Sequence, residues 1–352
     1  MPGLGYLKVD TERYVQFRAA LASGPAGVRE APAEPPPPVR VFDDRAASQP
    51  EAAAPEAGGP SELTVLVDRV ADDRPPVHQV WVPPLPAAVP LDAVLEERPW
   101  WRRAERAEGL RAVVGRLDRP AEQRTEPLAL DLGGSGGHVA VVGSPRTGKS
   151  TLLRTLAAAL MWRHTPAEVQ LYGIDLGGGL LAALAGAPHV GGIAGKLDRE
   201  AVHRVVRQLR AEIEDREQGR LEAGDVPDLF LMIDGWEVFK REFEGLDREV
   251  ENLAATGLSF GVHVAVTANR WAEIRPALAD NLGTRLELRL HDAIDSLVSR
   301  QAASALPAEL PGRGLTMDGL QFQAALPRVD GRAGDEGVAA ALGELCDEAS
   351  ER

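Results

Sequence analysis

Residues 143–150 read GSPRTGKS, and their types and spacing are those of a loop that binds nucleotide phosphates. The segment matches G-x-x-x-x-G-K-[ST] at every fixed position, between the apolar run HVAVVG and an Ala/Leu-rich run. Gly143 and Gly148 permit backbone angles that a Cβ would forbid, so successive N–H groups can surround phosphate oxygens. Lys149 is placed for the β- and γ-phosphates and the Ser150 hydroxyl for Mg²⁺. We therefore predict a P-loop that binds ATP and Mg²⁺.

The predicted contacts extend beyond this loop. Thr151 is expected to reach the α-phosphate, and Asp234, which ends the apolar run LFLMID, is expected to hold Mg²⁺ through water or together with Ser150. The predicted nucleotide-binding residues are Gly143, Ser144, Pro145, Arg146, Thr147, Gly148, Lys149, Ser150, Thr151 and Asp234, of which Ser150 and Asp234 are also the predicted magnesium ligands.

The residues available for hydrolysis are less complete. A water molecule must be polarised, usually by a Glu directly after the metal-binding Asp, but Gly235 follows Asp234 and Glu237 stands two residues later. Asp175, at the end of the run VQLYGID, is a second acidic candidate, and it fits the capping of the next turn equally well. We therefore expect nucleotide binding with weak or absent turnover.

Three further polar residues are candidates for contact with the γ-phosphate. Asn269 follows the strand-like run VHVAVTA, where a polar residue can sense that phosphate; a turn-forming Asn is the alternative. Arg285 and Arg313 are candidates for an arginine finger donated between subunits. A surface salt bridge is the favoured interpretation of both arginines.

The elements that position these residues form a repeating pattern. Near-continuous apolar strands alternate with amphipathic helices from residue 137 onward, which is typical of a parallel sheet covered on both faces. Asp318-Gly319 between two apolar runs predicts a terminal hairpin. The predicted fold class is α/β, a RecA-like P-loop NTPase with a mostly parallel central sheet, helices on both faces and a C-terminal hairpin.

The chain divides into five predicted segments. Residues 1–24 are expected to form a strand and a short helix, or a disordered tail with one fraying helix, and residues 25–60 a Pro/Ala-rich linker. Residues 61–132 form a lead-in subregion that starts with a helix capped by Ser61 and includes a strand at VHQVWV. The core covers residues 133–330, and residues 331–352 form a C-terminal helix or tail.

Composition excludes several classes of protein. Lys plus Arg is 39 and Asp plus Glu is 53 among 352 residues, and the resulting net charge of −14 disfavours sequence-independent nucleic-acid binding and adhesion to anionic lipid. A single cysteine, Cys346, excludes an internal disulfide and a cysteine-based zinc cluster. There is no apolar run of membrane-spanning length and no signal-peptide pattern.

Taken together, these motifs resemble a known family. The P-loop, DLGGG, APHVGGIAG, the DGW strand end, TANRW and PGRG are similar to the FtsK/SpoIIIE-type ATPase modules of EccC, the motor of actinobacterial type VII (ESX) secretion. VWVPPLP and VGRLDRPAEQRTEPLALDL resemble the lead-in to the second module, and GLGYLKV with the following residues resembles the end of the first.

The resemblance implies an ATPase module and its linker from a longer, membrane-anchored protein at the cytoplasmic face of the cell membrane. It implies a structural or regulatory role in export, since the second and third modules of the family commonly lack the catalytic Glu. The implied partners are neighbouring ATPase modules, membrane proteins of the secretion machinery and small helical-hairpin secreted substrates, within a hexameric parent assembly and without nucleic acid. The alternatives are an FtsK-like DNA translocase and a fully active ATPase.

Overall fold

The computed structural model describes residues 3–8, 14–20, 60–70, 82–220 and 226–351, and the chain divides into two compact units, residues 1–79 and 80–352. In the first unit, strands β1 (Leu4–Lys8) and β2 (Tyr14–Arg18) pair antiparallel. Helix α1 (Glu62–Val70) follows Ser61, whose Oγ accepts the N–H of Thr64 at 3.1 Å, so the predicted cap is confirmed.

The helix predicted after β1 is wrong, since Tyr14–Arg18 is a strand. The segment YVQFR is rich in aromatic and β-branched residues, which pair well across strands, and LGYLK supplies a partner of equal length. The short helix predicted here would be only marginally stable in water without tertiary contacts. Residues 25–59 of the predicted linker and 77–81 of the predicted VHQVWV strand lie outside the described residues.

The second unit is built on a ten-stranded sheet in the order β4-β3-β12-β11-β10-β5-β9-β8-β6-β7. Its strands are β3 (Arg111–Arg119), β4 (Arg124–Asp131), β5 (Val139–Val142), β6 (Val169–Asp175), β7 (Val190–Gly195), β8 (Asp228–Asp234), β9 (Val262–Ala268), β10 (Thr284–Leu288), β11 (Arg313–Thr316) and β12 (Gln321–Ala324). The six strands from β10 to β7 in this order are parallel, and the other four pair antiparallel. The predicted α/β class, parallel core and terminal hairpin are confirmed.

The antiparallel part of the sheet crosses the predicted boundary at residue 132. Strand β3, from the predicted lead-in, pairs with β12 of the C-terminal hairpin through Phe322 and Leu117. The segment before β3 is also attached to the hairpin, because the N–H of Leu326 donates to Val89 O at 2.7 Å. The lead-in strands therefore lengthen the sheet of the P-loop core.

Helices cover both faces of the sheet, as predicted. They are α2 (Lys149–Arg163), α3 (Arg199–Glu217), α4 (Trp236–Glu242), α5 (Leu246–Thr256), α6 (Pro276–Ala279), α7 (Arg300–Ser304) and α8 (Val338–Ser350). Helix α2 is buried along Leu152–Met161 and shares one core with α8, β3 and β4, whereas α3, α4 and α5 share the core of the other face. None of the described helices is long and apolar enough to cross a membrane.

One strand, β7, and three helices, α4, α6 and α7, were not predicted. Strand β7 reads VGGIAG and lies at the edge of the sheet with β6 as its one partner, so its glycines hide the usual strand composition. Helix α4 begins directly after Gly235, which adopts a left-handed conformation with φ +97°. This turn carries the chain from the end of β8 into a helix, and it bears directly on the candidate site.

Candidate functional site

The candidate site lies where the parallel strands end. Strand β5 leads into the P-loop, β8 ends at Asp234 and β6 ends at Asp175, while β9 runs between β5 and β8. Because parallel strands end at the same edge of a sheet, the residues that the motifs singled out in distant parts of the chain come together there. This edge is the usual ligand site of open α/β sheets.

The P-loop is anchored to the neighbouring strands by backbone hydrogen bonds. The N–H of Gly143 donates to Ala268 O at 3.1 Å, and the N–H of Ser144 donates to Arg289 O at 2.9 Å. Gly148 has φ +101°, and a Cβ there would lie 2.9 Å from the backbone N of Gly312, so the glycine is required for both conformation and space. These backbone bonds to β9 and to the segment after β10 fix the loop on the sheet edge.

Lys149 reaches back over this loop. Its Nζ donates to Gly143 O at 2.7 Å and to Ser144 O at 2.8 Å. Burial lowers the pKa of the ammonium, while the negative charges of Asp234 and Glu273 oppose that shift. The half-buried ammonium bonds only carbonyl oxygens among the described residues, and phosphate oxygens could replace these acceptors.

The other predicted loop residues differ in exposure and in hydrogen bonding. Ser144 is buried and its Oγ has no hydrogen-bond partner among the described residues, whereas Pro145 and Arg146 are exposed. The Oγ1 of Thr147 donates to Ser144 O at 2.8 Å. Ser150 and Thr151 lie half-buried in the first turn of α2, where their hydroxyls are available to a ligand at the helix N-terminus.

Asp234 is the carboxylate that suits a metal ion. It is 1% exposed, and its Oδ1 accepts the hydroxyl of Thr267 at 2.6 Å. Its Oδ2 is buried without a partner in the described part of the chain, beside Gly177, where a Cβ would come within 2.2 Å of that oxygen. A buried carboxylate oxygen with no donor is costly unless a cation or water meets it, so Asp234 fits Mg²⁺.

Thr267, and not the predicted Asn269, contacts Asp234. Its hydroxyl donates to Asp234 and accepts the N–H of Gly235 at 2.8 Å, and it is fully buried. Asn269 is exposed, and its backbone N–H donates to Glu273 Oε2 at 2.8 Å. The position of Thr267 at the end of a buried strand next to β8 was the available signal for its role.

The predicted acidic candidates for hydrolysis are engaged elsewhere. Both oxygens of Asp175 accept backbone N–H groups, from Gly179 at 2.9 Å and from Leu181 at 2.6 Å, so Asp175 caps the glycine-rich loop. Glu237 lies on the first turn of α4 and pairs with Lys240 at 2.9 Å. Asp175 therefore acts as a loop cap, and Glu237 is paired with a lysine of its own helix.

Two charged residues near the loop were not predicted. Arg154 on α2 is buried, its Nε has no partner among the described residues, and its Nη2 makes a long 3.5 Å contact with Thr151. Burial lowers the pKa of this guanidinium, and the carboxylates of Asp234 and Asp175 oppose that shift. Glu273 is the second acidic group whose charge acts on Lys149. Both were hidden because Arg154 lies in an Ala/Leu-rich helix and Glu273 in a short 3-10 helix after β9.

The two predicted arginine-finger candidates donate to groups of their own unit, and neither forms a salt bridge among the described residues. Arg285 donates to Leu282 O at 2.8 Å and to Ala279 O at 2.5 Å. Arg313 is 7% exposed and donates inside its own unit. The interpretation as surface salt bridges is therefore wrong for both arginines, because carbonyl oxygens accept their N–H groups. The arginine finger between subunits stays a prediction.

Comparison with known proteins decides the family. The pattern of the FtsK/SpoIIIE family matches residues 90–331, which include the P-loop, Asp234 and Thr267. The chain belongs to the FtsK/SpoIIIE family. This places the P-loop core, β3, β4 and the C-terminal hairpin within one family domain.

Individual FtsK/SpoIIIE relatives refine the comparison. The chain is 42% identical, over 94% of its length, to the ESX secretion system protein EccC of Thermomonospora curvata, and it spans 28% of that relative. The cytoplasmic domain of the T. curvata type VII secretion ATPase EccC matches 99% of the chain with a TM-score of 0.83 and 38% identity; the chain covers 40% of it.

A T. curvata EccC structure containing ATPases 2 and 3 in complex with a signal sequence peptide matches 77% of the chain with a TM-score of 0.69 and 40% identity, and the chain covers 54% of it. The predicted resemblance to EccC is confirmed.

Proposed function

We propose that this chain is an ATP-binding module of a type VII secretion motor that hydrolyses ATP slowly or not at all. The observation that carries the proposal is the pairing of a complete phosphate loop and a buried, unpartnered Asp234 Oδ2 with Gly235 in place of the usual Glu. The first two features support binding, and the third removes the usual means of activating water.

The binding half of the proposal depends on the P-loop, the first turn of α2 and Asp234. The P-loop N–H groups and Lys149 would hold the β- and γ-phosphates, and Ser150 with Asp234 would hold Mg²⁺. When bound, Mg²⁺ neutralises phosphate charge. Thr267 keeps the Asp234 carboxylate in one orientation, with one oxygen engaged and the other free, since its hydroxyl bonds Oδ1.

The hydrolytic half concerns the residue after Asp234. Gly235 has φ +97°, and its N–H is engaged by Thr267, so this position serves the turn and carries no side chain that can orient water. General bases commonly contribute ~10²–10⁴-fold to a rate. Turnover near the background rate is the expected consequence, with a structural or regulatory role for the bound nucleotide.

The place of the module in secretion follows from similarity to EccC. We propose that it corresponds to the second ATPase module with its preceding linker, attached through the parent protein to the inner face of the membrane. Its proposed partners are neighbouring modules, membrane components of the machinery and small helical-hairpin secreted substrates. A signal sequence peptide binds ATPases 2 and 3 of the T. curvata protein, which supports a substrate-binding role. A hexameric assembly is proposed for the parent.

The test is whether nucleotide co-purifies with the chain and how fast it turns over. Protein should be denatured and its nucleotide identified by chromatography, then single-turnover hydrolysis of labelled ATP measured with Lys149→Ala as control. Bound ATP and a rate far below ~1 s⁻¹ are expected. A rate at or above that value would contradict the proposal and direct attention to Glu273, the acidic neighbour of Lys149. A salt-dependent gel shift with duplex DNA would instead favour a translocase.

A further inference from the structure

Arg313 is buried among backbone carbonyls that belong to a distant part of the sequence. Its Nη2 donates to Leu85 O at 2.9 Å and Pro86 O at 3.0 Å, and its Nε donates to the Gln323 side chain at 3.0 Å. No carboxylate of the described residues forms an ion pair with it. Burial lowers the pKa of this guanidinium, opposed by the charge of Asp118. Because these hydrogen bonds are buried, the guanidinium holds the backbone at residues 85–86 in place.

The residue before Arg313 touches the P-loop. The N–H of Gly312 donates to Thr147 O at 2.7 Å, and the carbonyl of Gly312 accepts the N–H of Ala324 at 2.8 Å. Gly148 leaves no room for a Cβ at this contact, which would lie 2.9 Å from the N of Gly312. Two adjacent residues thus join the phosphate loop, through Gly312, to the chain at residues 85–86, through Arg313.

The segment held by Arg313 is the part of the second unit that follows directly from the first. Residues 1–79 form one unit and residues 80–352 the other, and residues 82–91 are the first described residues of the second unit. Leu85 is 7% exposed, and the segment continues to Val89 and Leu91, which bond to Leu326. Residues 82–91 and the phosphate loop are therefore both held by the adjacent residues Gly312 and Arg313.

We propose that Arg313 is a positioning residue that couples the seating of residues 82–91 to the nucleotide affinity of the P-loop. The proposal rests on the proposed ATP binding. When residues 82–91 occupy the position seen here, Arg313 and Gly312 hold Thr147 and the P-loop in the conformation described above. Displacement of the segment withdraws the two carbonyl acceptors, and the Gly312–Thr147 bond weakens with them. Because coupling between sites is reciprocal, bound ATP must also stabilise the seated segment.

The test measures both directions in the full chain. Amide hydrogen exchange should be resolved at Leu91, which donates to Leu326 O and Arg328 O, and at Leu326, which donates to Val89 O. ATP with Mg²⁺ is expected to slow exchange at both amides in the wild type. Allosteric coupling commonly amounts to ~5–150-fold, so Arg313→Met should weaken ATP binding by at least ~5-fold and abolish the ATP-dependent protection.

Two variants separate coupling from general stability. Arg313→Lys, whose ammonium can still reach one carbonyl, should keep part of the protection. Arg285→Met loses two carbonyl contacts as well, at Leu282 and Ala279, but it should keep the wild-type response because those contacts lie away from residues 82–91.

Three results would overturn the coupling. They are no ATP-dependent protection at Leu91 and Leu326 in the wild type, retention of that protection in a folded Arg313→Met, or equal loss of the response in Arg285→Met. If Arg313→Met does not fold, the wild-type exchange and Arg313→Lys decide. ATP that binds without protecting these amides refutes only the role of Arg313, whereas the absence of ATP binding overturns the proposed function as well.

Discussion

Replacement of Thr267 by Val removes one hydroxyl that serves two neighbours. The hydroxyl donates to Asp234 Oδ1 at 2.6 Å and accepts the Gly235 N–H at 2.8 Å, at a fully buried position. Val has nearly the same shape, so the packing changes little while both polar groups lose their partner. The variant tests whether Thr267 orients the proposed magnesium ligand.

The expected loss follows from the two bonds. A hydrogen bond to a charged group contributes ~1.5–3 kcal/mol, and a half-buried N–H left without an acceptor costs about 1 kcal/mol. Thr267→Val should therefore lower the free energy of unfolding by roughly 2–4 kcal/mol and the melting temperature by roughly 5–15 °C. A carboxylate free to rotate should also bind Mg²⁺ less well, by about tenfold for each ~1.4 kcal/mol of lost orientation.

The assay compares ATP affinity with and without Mg²⁺, by titration of a fluorescent nucleotide, for the wild type and two variants. Thr155→Val is the matched control, because Thr155 is equally buried and its hydroxyl bonds Thr151 O and Ala325 O, away from Asp234. Both variants should be less stable, but only Thr267→Val should lose the affinity gained from Mg²⁺. An unchanged magnesium dependence in Thr267→Val would refute its role in orienting Asp234.

Four further outcomes are expected. Lys149→Ala should abolish nucleotide binding with unchanged circular dichroism, and ATP with Mg²⁺ should raise the melting temperature of the wild type alone; unchanged affinity would contradict the P-loop assignment. Gly235→Glu must place a side chain at φ +97°, a strain of ~1–3 kcal/mol, so calorimetry should show a lower melting temperature and single-turnover assays a rate gain below ~10²–10⁴-fold; a full gain without destabilisation would contradict the strain. Deletion of residues 1–59 should leave the melting temperature of the remainder within a few degrees, and insoluble protein would show that those residues support it. Burial lowers the pKa of His138 and His189 from 6.5 to about 4, so between these values the unfolded chain binds more protons; denaturant titrations at pH 7.5 and 5 should show a stability lower by roughly 2 kcal/mol per histidine at the acidic pH, and equal stabilities would contradict the burial of neutral imidazoles.

The parts of the site that could be predicted are those fixed by local chemistry. The phosphate loop follows from the spacing of Gly143, Gly148 and Lys149, because the angles and charge that phosphate requires are set within eight residues. Asp234 follows from its place at the end of an apolar strand. The parallel core follows from apolar runs long enough to be buried on both faces.

The parts that could not be predicted depend on where distant backbone returns. Asp175 and Asp234 end neighbouring strands and look alike in the sequence. The N–H groups of Gly179 and Leu181 occupy both oxygens of Asp175, whereas Oδ2 of Asp234 has no partner among the described residues. Arg313 is separated from Leu85 by more than two hundred residues, and no local pattern announces a guanidinium that binds carbonyl oxygens. The second strand of the N-terminal hairpin, Tyr14–Arg18, was missed because its pairing with β1, and not the spacing of its apolar residues, determines its structure.

The turn after β8 explains how a site can keep its nucleotide contacts and lose its hydrolytic group. The left-handed backbone at Gly235 points its N–H at Thr267, and the same hydroxyl holds Asp234. A Glu at this position would supply a carboxylate that can orient water, but its strained backbone would also disturb the neighbouring Asp234, the proposed magnesium ligand. With Gly, the strain is absent and the orientation of Asp234 is kept, while Lys149 and the loop are untouched. The glycine is therefore expected to favour long residence of ATP over its turnover, as the proposed structural or regulatory role of the nucleotide requires.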